Sequence, residues 1–394
     1  MNDLTLEDMK PLYEGLMDLI QQDQPTLAPD VMRLPVTEYT DPERWAREVA
    51  LFRTTPMVLA FSSELSEPGS YWAMTRVGVP ILLTRLQSGS VRLFINACRH
   101  RGVKVAPDGQ GTAARLSCIY HGWTYGLDGK LLGIAERKIF GEVDKDCLGL
   151  KQLAVEERAG LIWGILTPGM ALDLDGYLGP RMDTMIRKSR LDRYRIVNRL
   201  EVPAANWKLA SEGYLESYHF KSLHKGTFIT FIHPNILKFE SHGPHTLFCT
   251  PAIGIKECDP NSLTELQRFV QISYTLFPGV ELAFASDTGF GNNDNQDRAL
   301  VGRLFANHVL PGDSPDKSIT ISRTMVNEDV AGTDRAAETE IWSTSTHNVV
   351  IKEDYPVVQF AQETLRSGAQ ECLIFGRNEI GIQHFHNMLH ESID

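Results

Sequence analysis

The sequence predicts an α+β fold in which a compact β-rich domain is carried inside a larger domain of strands and long helices. The chain has 394 residues, about twice the usual length of one domain. Short strand-like runs separated by turns fill residues 43–165, whereas strands and long helical stretches alternate after residue 206. We therefore predict one domain at 43–165 and a second domain built from 1–42 and 166–394.

Two helices are expected near the N-terminus. Apolar residues recur every three or four positions over 5–22, which is the spacing of one buried helix face. A second helix should run from Asp41-Pro42 to about Thr54. The reason is that Asp is a favoured N-cap and Pro is favoured at the first helical position.

The larger domain should contain three further helices and several strands. Helices are predicted at 206–224, from Asp334 to about Arg366 with a break before Pro356, and from about Glu379 to His390. Strands are predicted at 245–256, 269–285, 299–310 and 317–326. Strands flanked by long helices indicate one antiparallel sheet with helices packed over it.

Composition excludes some classes of function. Apolar residues make up 42% and charged residues 23%, as in an ordinary globular protein. A net charge of −11 argues against a nucleic-acid partner, since phosphates are bound by clustered Lys and Arg. No apolar run approaches the roughly 20 residues that span a bilayer. The acidic first residues also lack the layout of a signal peptide, so we expect a cytoplasmic protein with no membrane partner.

Two short motifs combine cysteine with histidine at tight spacing. Cys98 and His100 stand two positions apart, and Cys118 and His121 stand three apart. A tight loop at a hairpin tip could present each pair, so that two thiolates bind one iron and two imidazoles the other, as in a Rieske [2Fe–2S] centre. Zinc is the alternative metal, although zinc fingers usually pair Cys with Cys and His with His. The remaining cysteines are predicted to be buried hydrophobic residues: Cys147, Cys249, Cys258 and Cys372.

A second set of polar residues follows residue 206. On a regular helix, Glu212, Glu216 and His219 lie in one narrow stripe. His224 lies about 140° away on the same helix, so the two histidines can bind one metal only if the helix ends, bends or bulges between them. Two histidines and one carboxylate suit Fe(II) and leave positions open for O₂ and substrate. The sequence therefore predicts a mononuclear iron site.

The cysteine motifs lie in NACRHRG at 96–102 and CIYHGWTYGLDGKL at 118–131. These segments resemble the Rieske domains of ring-hydroxylating oxygenases. The resemblance implies that Trp123 covers the cluster and that backbone amides of both loops tune it. It also implies a Rieske domain inserted in a helix-grip (START-like) catalytic domain, with one [2Fe–2S] cluster and one mononuclear Fe(II) in each subunit.

The segment 206–224 is similar to the mononuclear iron helix of the same family, in which an acid stands three residues before the first histidine. The resemblance implies that Glu216 hydrogen-bonds the cluster ligand His121 of one subunit and the iron ligand His219 of the next. Glu at this position is similar to carnitine- and betaine-type members, while many aromatic dihydroxylating members have Asp. Two further residues receive catalytic roles from the resemblance: Glu212 and Asn206.

The third iron ligand is expected far along the chain. The family has an acidic pair followed by Gln eight residues after the second acid and then by Leu. Here the pair is Glu353-Asp354, with Gln362 and Leu365 after it. The resemblance implies that Asp354 joins His219 and His224 as a metal ligand, and Glu353 is the alternative.

The resemblance implies the large (alpha) oxygenase subunit of a multicomponent system, forming a head-to-tail homotrimer or a dimer of trimers. Electrons would come from NAD(P)H through a flavin and iron–sulfur reductase, with or without a ferredoxin, since this chain has no Gly-rich dinucleotide loop. The expected reaction is O₂-dependent hydroxylation or oxidative dealkylation of a small organic substrate. Aromatic cis-dihydroxylation is the alternative, and an electron carrier or a ligand-binding protein without iron is the hypothesis from another class.

Other candidate residues are weaker. We expect the C-terminal histidines to be surface or packing residues: His384, His386 and His390. A second histidine group could line a substrate entrance: His233, His242 and His245. Family position suggests apolar pocket walls, although a buried core is the simpler interpretation: Phe228, Phe231, Leu276, Phe277 and Phe284.

Overall fold

A computed structural model describes residues 2–227, 232–285, 302–329 and 348–393 of the chain. The chain divides into two compact units. The smaller unit is Ala50–Leu174, and the larger unit combines Met1–Val49 with Asp175–Asp394. Within the described residues, no helix has both the length and the apolar character needed to cross a membrane.

The chain opens with two predicted helices, both confirmed. The first elements are α1 (Leu6–Gln22), β1 (Met32–Pro35), α2 (Thr37–Thr40) and α3 (Pro42–Thr54). Thr5 and Asp8 cap α1 reciprocally, each side chain accepting from the backbone N–H of the other. At α3, the Asp41 carboxylate accepts a hydrogen bond from the backbone N–H of Glu43 at 2.9 Å, as an N-cap does.

The smaller unit consists mainly of short antiparallel strands, as predicted. Its elements are β2 (Met57–Phe61), β3 (Ser70–Arg76), β4 (Val79–Arg85), β5 (Val91–Ile95), β6 (Gly109–Thr112), β7 (Arg115–Ser117), β8 (Thr124–Gly126), β9 (Leu131–Gly133), α4 (Arg137–Phe140), β10 (Gln152–Leu153), β11 (Val155–Arg158) and β12 (Leu161–Gly164). They form sheets in the orders β10-β5-β4-β3-β6, β11-β12-β2 and β7-β8-β9. One loop follows β5, and another joins β7 to β8. These two loops carry the cysteine motifs.

The larger unit contains one seven-stranded antiparallel sheet and the remaining helices. Its later elements are α5 (Leu174–Lys188), β13 (Tyr194–Ala204), α6 (Trp207–Glu212), α7 (Phe220–Leu223), β14 (Lys238–His242), β15 (His245–Pro251), α8 (Leu263–Phe269), β16 (Val270–Leu276), β17 (Val280–Ala285), β18 (Arg303–Pro311), β19 (Ser318–Asn327), α9 (Tyr355–Leu365), β20 (Cys372–Phe375) and α10 (Ile380–Ile393). The sheet order is β13-β19-β18-β17-β16-β15-β14, and β20 pairs with β1. The predicted α+β class is confirmed.

Two expectations about elements need correction, and part of a third cannot be compared. The helix predicted over 206–224 is wrong, because α6 ends at Glu212 and only the short α7 follows. The predicted strand 269–285 is two strands, β16 and β17. The first part of the helix predicted from Asp334 lies outside the described residues.

The predicted burial of the four other cysteines is partly wrong. Cys249 and Cys258 are buried, but Cys147 is exposed and Cys372 is half-buried. The Cys147 thiol donates a hydrogen bond to the Asp144 carboxylate at 3.0 Å, so a local polar contact replaces the expected apolar packing.

Candidate functional site

The loop after β5 is closed by two backbone hydrogen bonds. The Cys98 N–H donates to the carbonyl of Val103 at 2.8 Å, and the Gly102 N–H donates to the carbonyl of Cys98 at 2.9 Å. Gly102 has a φ of 75°, a backbone conformation that glycine adopts without steric conflict. These bonds fix the Cys98 backbone within a ring of six residues.

The loop between β7 and β8 repeats this arrangement. The Cys118 N–H donates to the carbonyl of Trp123 at 2.8 Å, and the Gly122 N–H donates to the carbonyl of Cys118 at 2.9 Å. Gly122 has a φ of 67°. Each cysteine is thus the first residue, and each glycine the fifth, of two loops with the same hydrogen-bond pattern.

Both thiols are buried, and the histidines of the two loops meet. Cys98 and Cys118 are each 4% exposed and belong to one hydrophobic cluster that also contains Trp123. The rings of His100 and His121 are in edge contact with centroids 4.6 Å apart. Trp123 stacks on His100 at 5.0 Å and an interplanar angle of 8°, so it shields one face of that imidazole.

Tyr125 was not singled out by the sequence analysis, although it lies two residues after Trp123. Its hydroxyl is 3.4 Å from the Cys98 sulfur and accepts a hydrogen bond from the Arg99 N–H at 3.0 Å. Since its oxygen accepts from Arg99, the phenol O–H can donate to a Cys98 thiolate. Burial and the neighbouring thiol raise the pKa of Tyr125, which keeps this donor protonated.

The spread of the Cys and His side chains bears on the choice between zinc and a cluster. Among the described residues, the ligand atoms of His219, His224 and Asp354 form the one group of three that lie within 4.8 Å of one another. No three ligand atoms of Cys98, His100, Cys118 and His121 lie that close together, so these four residues are too far apart to bind one ion. A [2Fe–2S] cluster separates thiolate from imidazole ligands onto two irons, so the residues fit the cluster.

The second centre forms where α6 gives way to turns. His219 immediately precedes the single helical turn α7, and His224 immediately follows it. Their rings make an edge contact with centroids 5.0 Å apart. The predicted interruption between the two histidines is the end of α7 itself, because the backbone of His224 is no longer helical (φ −98°, ψ 40°). The break after Glu212 lies before both histidines.

Asp354 completes this centre from a distant part of the chain. It is the last residue of a π-helical turn, Val350–Asp354, a kind of irregularity common at functional sites. Its Oδ1 lies 3.4 Å from Nε2 of His219 and 3.2 Å from Nε2 of His224. Its Oδ2 is buried and has no hydrogen-bond partner within the described part of the chain.

A carboxylate holds the far nitrogen of each imidazole. Glu216 pairs with Nδ1 of His219, and Glu353 pairs with Nδ1 of His224 at 2.7 Å. When Nδ1–H donates to a carboxylate, the lone pair of the neutral ring is left on Nε2, which is the nitrogen that faces Asp354. Glu353, the alternative third ligand, therefore lies behind His224 rather than beside Asp354.

The His219 imidazole and the Asp354 carboxylate of this centre each favour the charged form of the other. Burial lowers the pKa of His219, but hydrogen bonds with Asp354 and Glu216 outweigh it and raise the pKa to about 9. Burial raises the pKa of Asp354, and hydrogen bonds with His219 and His224 lower it further than burial raises it. A divalent cation would take the place of the imidazole proton. Two imidazoles and one carboxylate suit Fe(II), and the buried Oδ2 of that carboxylate has no hydrogen-bond donor among the described residues.

Two family models match the chain. The model for the Rieske [2Fe-2S] domain matches residues 55–140, and the model for the ring hydroxylating alpha subunit (catalytic domain) matches residues 191–394. The second match covers more than half of the chain. The chain belongs to the ring-hydroxylating alpha-subunit family. The two domains bring the two predicted cofactors, a [2Fe–2S] cluster and a mononuclear iron.

Curated relatives of this chain include two kinds of oxygenase. The glycine betaine monooxygenase oxygenase subunit of Chromohalobacter salexigens is 32% identical over 48% of this chain and 43% of its own length. The benzene 1,2-dioxygenase subunit alpha of Pseudomonas putida is 30% identical over 46% of this chain and 42% of its own length. Each match thus takes in less than half of the relative.

Solved structures share the fold of this alpha subunit. The quaternary ammonium Rieske monooxygenase CntA in complex with L-carnitine superposes with a TM-score of 0.75 at 21% identity, over 93% of this chain and 97% of CntA. Naphthalene 1,2-dioxygenase from Rhodococcus sp. bound to indole gives 0.73 at 21% identity, over 99% of both chains. These structures confirm the predicted fold.

Asn206, expected to be catalytic, caps α6. Its side-chain oxygen accepts from the Lys208 N–H at 2.9 Å, and its amide donates to the carbonyls of Tyr39 at 3.0 Å and Pro315 at 2.6 Å. Its own N–H donates to the side chain of Gln362 at 2.9 Å. These contacts give Asn206 a positioning role, because it links the start of α6 to α9.

Glu212, the other expected catalytic residue, lies in a buried network. Its carboxylate accepts hydrogen bonds from the Tyr39 hydroxyl at 2.5 Å and from Nε2 of His386 at 2.9 Å. His386 is fully buried on α10, so a residue expected only to pack also makes a polar contact. The last residue of α6 is thus held by one segment near the N-terminus, through Tyr39, and by one near the C-terminus, through His386.

Of the remaining candidates, three are buried and two lie outside the described residues. His245 is buried between the Tyr177 carbonyl and the Phe277 N–H, and burial lowers its pKa to about 4. Leu276 and Phe277 are buried. Phe228 and Phe231 lie outside the described residues.

Proposed function

We propose that this chain is the terminal oxygenase component of a Rieske oxygenase that hydroxylates, or oxidatively dealkylates, a small organic substrate with O₂. The convergence of His219, His224 and Asp354 carries this proposal. An electron carrier would need only the cluster loops, and a ligand-binding protein would need neither ligand set. The presence of both sets in one chain therefore favours an oxygenase.

When bound, the cluster supplies single electrons and the iron activates O₂ at open coordination positions. Cys98, Cys118, His100 and His121 would hold the cluster. His219, His224 and Asp354 would hold the iron. Glu216 and Glu353 orient the two imidazoles and keep the Nε2 lone pairs available, which is the usual task of the acid behind a metal-bound histidine.

Glu216 has a second task under this proposal. Its Oε2 accepts the backbone N–H of His219 at 3.1 Å, so its carboxylate is held firmly beside the imidazole. The resemblance implies that His121 of a neighbouring subunit hydrogen-bonds the same carboxylate. Glu216 would then carry the electron path from the cluster of one subunit to the iron of the next, within a head-to-tail homotrimer or a dimer of trimers.

The electrons would come from NAD(P)H through a separate flavin and iron–sulfur reductase, with or without a ferredoxin. The sequence contains no GxGxxG dinucleotide-binding motif, which supports a separate reductase. Monooxygenation is our first choice because Glu216 is similar to the acid of carnitine- and betaine-type members. Aromatic dihydroxylation, and with it aromatic hydrocarbon catabolism, is the second choice because dioxygenase alpha subunits are among the relatives.

A single-turnover experiment tests the function without a reductase. The purified chain with both metals is reduced chemically and exposed to ¹⁸O₂ with aromatic acids, quaternary amines and steroids. Mass spectrometry should find one labelled oxygen in the product of a monooxygenase and two in that of a dioxygenase. His219→Ala is the control and should form no product. Product formation by this variant, or its absence from a fully loaded wild type, would contradict the proposal.

A further inference from the structure

A row of buried polar side chains crosses the seven-stranded sheet. Glu281 on β17 lies opposite Thr275 on β16 and Asn307 on β18, and Asn307 lies opposite Ser322 on β19. Residues directly opposite each other in an antiparallel sheet point to the same face. All four are buried. A buried sheet face is normally apolar, so this row needs an explanation.

The sheet face that carries this row also contacts Tyr355, the residue next to Asp354 of the histidine and carboxylate centre. Thr320 lies two residues before Ser322 on β19 and therefore shares its face. The Thr320 side chain lies beside the phenol of Tyr355, which directly follows Asp354. Tyr214, whose hydroxyl is 3.3 Å from that of Tyr355, is close enough to Glu281 for the carboxyl to raise its pKa, in addition to the larger effect of burial.

Within the described part of the chain, Glu281 has a hydrogen-bond donor but no ion-pair partner. Its Oε2 accepts a hydrogen bond from the Thr275 hydroxyl at 2.7 Å, and no lysine, arginine or histidine in the described ranges pairs with it. Burial raises its pKa well above the usual range, since an unpaired charge is costly away from water. Burial without a compensating cation favours the neutral acid, in which Oε2 accepts from Thr275 and an O–H on Oε1 can donate.

We propose that Glu281 is a substrate-recognition residue that donates a hydrogen bond to a carbonyl or hydroxyl oxygen of the substrate. This inference rests on the proposed function of the His219, His224 and Asp354 centre. Asn307 and Ser322 in the same row offer further hydrogen bonds to a polar group. The preferred substrate is thus an uncharged, oxygen-bearing organic molecule rather than a plain hydrocarbon or a cation.

Binding experiments on the full chain with both metals test this inference without turnover. The probes are acetophenone, its hydrocarbon counterpart ethylbenzene, and glycine betaine as a zwitterion that carries a quaternary ammonium group. Calorimetry should show that the wild type binds acetophenone more tightly than ethylbenzene. Glu281→Leu should lose about tenfold in acetophenone affinity, the effect of one hydrogen bond to a buried donor. Glu281→Gln should keep most of it, because its amide also donates.

An infrared measurement keeps the test valid if Glu281→Leu does not fold. The wild type should show the carbonyl band of a neutral carboxylic acid, which Glu281→Gln removes and acetophenone shifts. Tyr274→Phe, a buried change on the opposite face of β16, is the matched control and should leave binding unchanged. Its position follows from the pairing of Tyr274 with Leu282, the neighbour of Glu281.

Several results would overturn the inference. One is an equal affinity of the wild type for acetophenone and ethylbenzene. Another is a loss of acetophenone affinity in Tyr274→Phe equal to that in Glu281→Leu. The third is that no probe binds. Glycine betaine binding that Glu281→Gln abolishes would make Glu281 a counter-charge for cations instead. A failed proposed function would appear separately, as binding with the expected preference but no ¹⁸O in any product.

Discussion

Glu353 accepts a hydrogen bond from Nδ1 of His224 at 2.7 Å. The next residue along the chain, Asp354, lies on the other side of the same ring and faces Nε2. The π-helical turn that ends here directs two consecutive acids to opposite nitrogens of one imidazole. Asp354, the expected third ligand, and Glu353, the alternative, should therefore have different effects when they are replaced.

Asp354→Ala should empty the mononuclear site, because it removes the one carboxylate that faces both Nε2 atoms. Glu353→Gln should still bind iron but with an affinity lower by about 10- to 100-fold, the usual effect of losing the acid behind a ligating histidine. Iron titration of each variant measures the difference. Equal losses in the two variants would mean that both acids are ligands or that neither is.

Glu216→Gln should retain the cluster and, at saturating iron, the mononuclear metal, yet lose most steady-state turnover. The amide cannot serve as the acidic bridge between two histidines. Hydrogen peroxide supplied in place of O₂ and electrons should restore product if electron delivery is the defect. Glu201→Gln, at an exposed acid on β13, is the control and should behave as the wild type. Unchanged turnover in Glu216→Gln would rule out the bridge.

Mixed assemblies test whether the cluster of one subunit supplies electrons to the iron of the same subunit or of its neighbour. His121→Ala lacks an intact cluster, Asp354→Ala lacks the iron, and each alone should be inactive. In a closed head-to-tail trimer formed from both, roughly three quarters of the rings are mixed and about one site in three is complete, so roughly a quarter of the activity should return. Electron transfer within one chain predicts no recovery, because every chain carries a defect.

Gly381→Ala should weaken iron binding although Gly381 touches no ligand. A Cβ at this position of α10 would lie 2.2 Å from the carbonyl oxygen of Leu215, so the segment that bears Glu216 must shift. Gly213→Ala is the matched control. Its Cβ would meet nothing within 4 Å, and its backbone is already helical. Iron affinity should fall in the first variant alone, with the cluster spectrum unchanged in both.

Tyr125→Phe should lower the reduction potential of the cluster while leaving its visible spectrum in place. The variant loses a hydroxyl 3.4 Å from the Cys98 sulfur, and hydrogen bonds to cluster sulfurs raise the potential. Tyr120→Phe is the control, because its hydroxyl accepts from Arg101 on an exposed surface. A redox titration of both variants settles the point, and an equal change in the two would exclude a specific effect of Tyr125.

Much of the fold could be predicted because the signals are local. The caps at Thr5 and Asp41 lie within three residues of the helices they start, and the cysteine loops close over six residues. The strands of the smaller unit are short runs between turns. In each case the determining contacts lie within one sequence window.

The failures of prediction have long-range causes. The helix expected over 206–224 is interrupted where the Leu215 carbonyl meets Gly381 of a helix far along the chain. The strand β13 was missed because it is an edge strand whose alternating polar residues gain order only by pairing with β19. Nothing near His386 in sequence indicates a bond to Glu212, since its partners arrive from distant segments.

The buried hydrogen bond from Asn206 to Gln362 should affect how the larger unit unfolds. Asn206 starts the helix before the two histidines, and Gln362 lies in the helix after Asp354. Neither helix can melt without breaking this buried bond, so the two should unfold together as one cooperative block. The ligand triad would then be assembled or dismantled as a whole, and heating would release iron in a single step.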